Sequence, residues 1–266
     1  MSSKYTFYHL SNKQSSGLNL TETQDLLFKW SMKKCLQITY YAFNQEFSDS
    51  DVNQFILDFF QDKNVTCLLQ TSPNILLDCE ITRVKVEEIS CVITSMDFFD
   101  KLLNPINNIV SHGKDREGNT LIRQCEEVSK NGIYITNVLK KVLLDDECEE
   151  YSLYNSEERE EFIFKLLTHF VIGGTWCQDD VTIEPYLNTT KNIYKDLISV
   201  EKNLEFNKIL VASKVYNVMA FNSKDDMVYP KGFTDHFQNS FVYLIINRKT
   251  RTVTLFAHNA GNTIYT

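Results

Sequence analysis

The stretch NSEEREEFIFKLLTHFVIGG, residues 155–174, decides how this chain folds. Asn155 with Glu158 three residues on has the form of a capping box, and Glu157, Glu158 and Glu160 crowd what would be the positive end of a helix. Phe162, Leu166, Phe170 and Ile163, Leu167, Val171 then form two adjacent rows at four-residue spacing, a stripe wide enough to face a core. Gly173-Gly174 supplies a left-handed stop. The pattern predicts one central core helix over 156–172, with His169 turned outward beside Lys165.

Downstream, Pro185 suits the first turn of a second helix whose Tyr186, Thr190, Ile193, Tyr194 and Leu197 line one side. The period then drops to two: Ile209, Val211 and Val215, followed by Tyr243, Ile245, Val253 and Leu255 around a turn at 247–252, predict an antiparallel sheet at the C-terminal end. Upstream, Tyr5–Leu10 and the alternating 38–43 segment predict strands, and Val52, Phe55, Ile56, Phe59 and Phe60 a helix. Thr21 with Gln24 has the form of a second capping box, for a helix carrying Leu27, Trp30 and Cys35. Leu68 to Val86, broken by Ser72-Pro73-Asn74, predicts a hairpin or meander, and 95–103 and 138–144 predict short helices. The polar 107–119 stretch predicts a long, flexible loop. The fold class is therefore α+β, with central helices and a C-terminal antiparallel sheet. One compact domain over 1–266 satisfies it, as do two lobes, 1–104 and 134–266, joined by a loop-rich 105–133.

Composition narrows function. Hydrophobic residues at 43% and only 12 Gly and Pro among 266 residues fit a folded core and exclude low-complexity disorder. A formal charge of −8 argues against phosphate-backbone binding, so no nucleic acid is expected. No apolar run reaches the roughly 18 residues of a membrane span, and the first residues lack a signal peptide's apolar region. Cytoplasmic residence is the expectation, and it makes the sequons at Asn19, Asn64 and Asn188 chance matches. The seven cysteines show no CxxC spacing and read as reduced structural thiols.

Asp179, Asp180 and Glu184, near His169 and Cys177, form the densest group of potential ligands or acids. Their spacing matches no metal pattern, so helix capping by Asp179 and Asp180 is the reading set against a metal site. The acidic run Asp145–Glu150 lacks the ligand spacing and central Gly of a calcium loop. Gly173-Gly174 follows a helix rather than preceding one, unlike a phosphate loop. His258, at the end of an apolar strand, reads as a satisfied core histidine. Two basic patches, Arg248, Lys249 and Arg251 at a hairpin tip and Lys29, Lys33 and Lys34 on a helix, read as solvated surface or as contacts for acidic partners. No cofactor is expected.

Across nearly its full length the chain resembles the cilia- and flagella-associated protein 300 family. The resemblance is carried by Lys29-Trp30-Ser31-Met32, Ala42 to Phe47, Phe59 to Val65, and Arg159 to Phe162 through Gly173-Gly174 and Cys177-Gln178. It continues through Pro185-Tyr186-Leu187, Thr189-Thr190-Lys191, Ile193 to Leu197 and the Ser240-Phe241 hairpin that ends at His258. Departures cluster between Pro105 and Ile133, and nothing is carried onto them. The resemblance implies a non-catalytic cytoplasmic factor or adaptor for assembly and ciliary delivery of outer and inner axonemal dynein arms. Its implied partners are dynein assembly factors, including a kintoun-type PIH-domain co-chaperone, with dynein-arm subunits and the intraflagellar transport machinery. An enzyme with a dispersed metal or nucleotide site, or a permanent axonemal component, are the alternatives. Trp176, Tyr186, Lys191 and Tyr194 are the candidate partner-binding residues: the glycines force Trp176 into a connection, and the two tyrosines fall eight residues apart on one helix face. The competing reading packs all three aromatics against the core helix.

Overall fold

The computed structural model describes residues 4–71, 80–130, 132–203, 205, 207–230 and 239–260. In chain order the elements are β1 (Phe7–His9), α1 (Thr21–Lys29), β2 (Leu36–Phe43), α2 (Val52–Gln61), α3 (Lys63–Thr71), β3 (Arg83–Ile89) and α4 (Asp100–Leu103). Then come β4 (Val110–Lys114), β5 (Thr120–Ile122), β6 (Gln124–Lys130), β7 (Ile133–Asn137), α5 (Val138–Leu144), α6 (Ser156–Glu160), α7 (Phe162–Ile172) and α8 (Glu184–Leu197). The chain continues through β8 (Val200–Asn203), β9 (Lys208–Val211), β10 (Ser213–Phe221), β11 (Met227–Tyr229), β12 (Phe241–Asn247) and β13 (Thr252–His258). The class is α+β with antiparallel pairing, as the sequence predicts.

The main sheet runs β1-β2-β13-β12-β10-β11, and β3 pairs along the other edge of β10. It is thus not confined to the C-terminal end: β13 lies between β12 and β2, with Leu255 opposite Leu244 on one side and Thr39 on the other. Alternation along β12 and β13 sends Val242, Leu244, Ile246, Val253, Leu255 and Ala257 to one face and Phe241, Tyr243, Ile245 and Phe256 to the other. The first face packs on Phe55, Ile56, Phe59 and Phe60 of α2, and the second on Trp30 and on α5, α7 and α8. Both faces are covered, which is why β12 reads as an unbroken apolar run.

The exposed edge of β1 is blunted by side chains. Tyr5 and Phe7 N–H donate to Asp58 Oδ2 at 2.8 Å and Asp62 Oδ2 at 3.1 Å, and Asn64 Nδ2 donates to the Phe7 carbonyl at 2.8 Å. The serine-rich lead into α1 is equally fixed: Asp196 accepts from Ser15 Oγ, Ser16 Oγ and Gly17 N–H.

Four local expectations are corrected. The 156–172 helix is broken at Glu161, whose extended backbone lets Phe162 N–H donate to the Ser90 carbonyl at 2.7 Å. The Glu161 carboxylate accepts from Ser90 Oγ and Val92 N–H, so the break bolts the core helix to the segment after β3. Thr21 makes no cap; Leu20 holds that position, and Gln24 Nε2 donates to the Leu18 carbonyl instead. The Cys67–Leu69 run, expected in a strand, lies in α3, and the Ser72-Pro73-Asn74 turn lies outside the described residues. The 105–133 segment, expected to be loop-rich, holds β4, β5 and β6; β4 and β5 are short and bury the paired Val110 and Ile122, while β6 is mostly polar. Among the described residues no helix is long and apolar enough to cross a membrane.

Candidate functional site

The end of α7 is where the chain is most tightly constrained. Gly173 has φ +67° and ψ −162°, an extended left-sided conformation open essentially to glycine rather than the left-handed helical stop expected. A Cβ there would come within 2.8 Å of the Trp30 carbonyl, and one on Gly174 would run into the Ser31 carbonyl. Gly174 N–H donates to Trp30 O at 2.8 Å and Gln178 N–H to Lys29 O at 3.1 Å. The connection from α7 to α8 is therefore clamped onto the end of α1 at two points, with Trp176 between them.

The acidic residues after the clamp diverge instead of converging. Asp180 Oδ2 accepts from Trp30 Nε1 at 2.6 Å, its other oxygen pairs with Lys29, and its N–H donates to Tyr186 Oη at 2.9 Å. Asp179 accepts from Thr136 Oγ1 and from the nearly buried Lys140 Nζ, both at 2.8 Å. Glu184 Oε1 accepts from Thr120 N–H at 2.7 Å. Neither Asp179 nor Asp180 caps a helix through its side chain, which corrects the capping expectation: each of the three carboxylates instead ties the connection to a different element. Among the described residues no three His, Cys, Asp or Glu side chains are grouped to hold a metal ion. Burial, with Asp179 nearby, pushes the Cys177 thiol up to about 12, which keeps it protonated and unreactive. Cys35, Cys91, Cys125, Cys148 and Cys177 are free thiols, and Cys79 lies outside the described residues.

His169 does not face outward. Asn239 Nδ2 donates to the His169 and Gly173 carbonyls, so its Oδ1 must accept from His169 Nδ1–H at 2.6 Å; Nε2 then accepts from Tyr243 Oη–H at 2.9 Å. His258 Nδ1–H donates to the Asn239 carbonyl at 2.6 Å, while its buried Nε2 has no hydrogen-bond partner among the described residues. Burial is the main cause that pulls His169 down to about 3 and His258 to about 4. Both stay neutral across the physiological range: His169 rivets α7 to the sheet, and His258 ties β13 to the segment that leads into β12.

The four residues expected at a partner surface separate into two pairs. Tyr186 is buried with its ring stacked on Trp30 at 4.8 Å and 14°. Tyr194 is buried too, donating to the Ile93 carbonyl at 2.7 Å. Lys191 is exposed on α8, and Trp176 is 62% exposed. The eight-residue spacing places the tyrosines on one face as expected, but that face is the core. Phe28, which the sequence reading passes over, is 70% exposed beside the clamp; the signal is that it falls off the Leu27–Trp30 stripe.

The basic hairpin tip is matched internally. Arg248 pairs with Asp49, Lys249 with Glu201 at 3.1 Å, and Lys214 with Asp49 and Glu88 at 3.1 Å, around an open groove of about 790 Å³.

The profile described as cilia- and flagella-associated protein 300 matches residues 4–258. A protein of that description from Paramecium tetraurelia is 28% identical over 254 residues, covering 94% of this chain and 91% of the relative. One from Chlamydomonas reinhardtii is 26% identical over 262 residues, covering 95% and 96%. No solved structure matches. With the profile spanning the sheet, the clamp and both helices that carry it, the chain belongs to the cilia- and flagella-associated protein 300 family.

Proposed function

We propose that the chain is a non-catalytic cytoplasmic factor that helps assemble outer and inner axonemal dynein arms and deliver them to the cilium. In this reading it works with dynein assembly factors, among them a kintoun-type PIH-domain co-chaperone, and travels with intraflagellar transport. Membership of a cilia- and flagella-associated family supports the setting. The observation that carries the non-catalytic part is the fate of the polar residues best suited to chemistry. Asp179, Asp180, Glu184 and His169 are all engaged in bonds that hold elements together, each to a different partner. What the connection offers to solvent is an aromatic side chain on a clamped backbone, a feature suited to binding.

The test is depletion of the protein in ciliated cells, with electron microscopy of axonemal cross-sections and fractionation of the cell. Missing dynein arms, with the protein in the soluble fraction, is the expected result. Intact arms would overturn the assembly role, and protein that leaves cilia only with high salt would identify a permanent axonemal component.

A further inference from the structure

We propose that Phe28 and Trp176 form a docking site for an acidic, apolar-bearing segment of a partner protein; this rests on the protein-binding reading above and names the chemistry of what is bound. At 70% and 62% exposed, these are among the largest apolar groups that the described surface presents. They belong to one junction. Ser31 N–H donates to Phe28 O at 3.0 Å at the end of α1, and the Gly174–Trp30 and Gln178–Lys29 bonds fix the Trp176 connection against that same end. Val181, 62% exposed, extends the apolar surface along the connection.

Beneath the surface groups the base is rigid. Trp30 is buried, stacked on Tyr186 and bonded to Asp180, and neither Gly173 nor Gly174 has room for a side chain. Aromatic anchors on a preorganised backbone lose little conformational freedom on binding, which is the property of interface hot spots. Nothing in the fold's own stability requires two large aromatics in water here.

Charge selects the occupant. Lys33 is exposed immediately beyond α1, while Asp25 lies one turn before Phe28 on the same helix face. The patch is therefore polarised, and a segment whose carboxylates lie toward Lys33 is matched, whereas acids toward Asp25 are repelled. On a chain of formal charge −8, an exposed cation at this end of the patch is what lets an acidic segment approach.

The experiment uses the purified full chain as bait for a random-peptide phage library, with counter-selection on Trp176→Ala, followed by titration of synthetic copies of the recovered peptides. Recovered sequences are expected to place Leu, Phe or Trp beside Asp or Glu. Their affinity should fall about tenfold in Trp176→Ala and in Phe28→Ala, and several-fold in Lys33→Glu, with unfolding midpoints unchanged. Trp30 is buried, so a blue shift of emission that vanishes in Trp176→Ala reports occupancy of this patch directly. Recovery of no Trp176-dependent peptide, or of basic ones, overturns the proposal. So does concentration-dependent self-association abolished by Trp176→Ala, which would make a second copy the occupant. Intact dynein arms after depletion would remove the assembly role and leave this result standing, and failed peptide binding would do the reverse.

Discussion

The two faces of the main sheet are held by different physics. Toward α2 the contacts are rings on rings: Phe55 alone meets Tyr5, Phe7, Phe43 and Phe47 edge-on, with centroids 4.8 to 5.1 Å apart. Toward α7 and α8 the apolar core is threaded by buried polar bonds, from Asp180 to Trp30, Asp179 to Lys140 and His169 to Asn239 and Tyr243. A ring face degrades by loss of area and leaves a void. A polar face degrades by orphaning partners, whose desolvation then goes uncompensated. The face bearing the exposed aromatics is thus also the one whose geometry is specified atom by atom.

On the ring face, Phe55→Ala is expected to cost about 3 to 5 kcal/mol by chemical denaturation, because four rings give up their common partner; a smaller loss would show that the rings do not act together. On the polar face, Asp179→Ala is expected to cost about 3 kcal/mol by leaving Lys140 buried without its anion. The double variant Asp179→Leu with Lys140→Met should recover part of that loss, and strict additivity in the cycle would show that the pair is not coupled.

Acid should act on the polar face alone. His169 and His258 have folded pKa values of about 3 and 4, below the ordinary 6.5, so the unfolded chain takes up protons first as pH falls. Their contribution is fully present above pH 6.5 and is lost as pH drops toward those values, amounting to about 2 to 3 kcal/mol between pH 7 and pH 5.5. Equilibrium unfolding of wild type against the His258→Gln variant across that window should show a shallower slope in the variant, and parallel curves would contradict the assignment.

Smaller effects sharpen the picture. Tyr194→Phe removes the donor to Ile93 and should lower stability by about 1 kcal/mol, seen as a lower unfolding midpoint. Trp176→Ala should change it by less than about 0.5 kcal/mol, as expected of an exposed group, and a larger loss would place Trp176 in the core after all.

Periodicity carried a good part of this. Phe162, Ile163, Leu166, Leu167, Phe170 and Val171 are all buried, and the Asn155–Glu158 capping box forms as their order suggests. What stayed hidden depends on distant partners. The break at Glu161 is invisible locally because Ser90 and Val92, seventy positions away in the chain, hold its carboxylate. In the β6–β7 hairpin the β6 strand is mostly polar, so no alternation there announces a partner for β7. In the candidate site, helix-stop logic found Trp176, but spacing alone could not say whether Tyr186 and Tyr194 face solvent or Trp30 and Ile93. Phe28 escaped because a single aromatic off the apolar stripe carries no periodic signal.

The placement of β13 between β2 and β12 has a consequence for the chain's birth on the ribosome. β2 is synthesised roughly two hundred residues ahead of the strand it must pair with, an interval of on the order of ten to forty seconds at ordinary elongation rates. Until β13 arrives, Phe43, Phe47, Phe55 and Phe59 have half a sheet to cover and no way to complete it. The aromatic residues that pack most closely in the finished fold are therefore the ones that stay uncovered longest while the chain is being made.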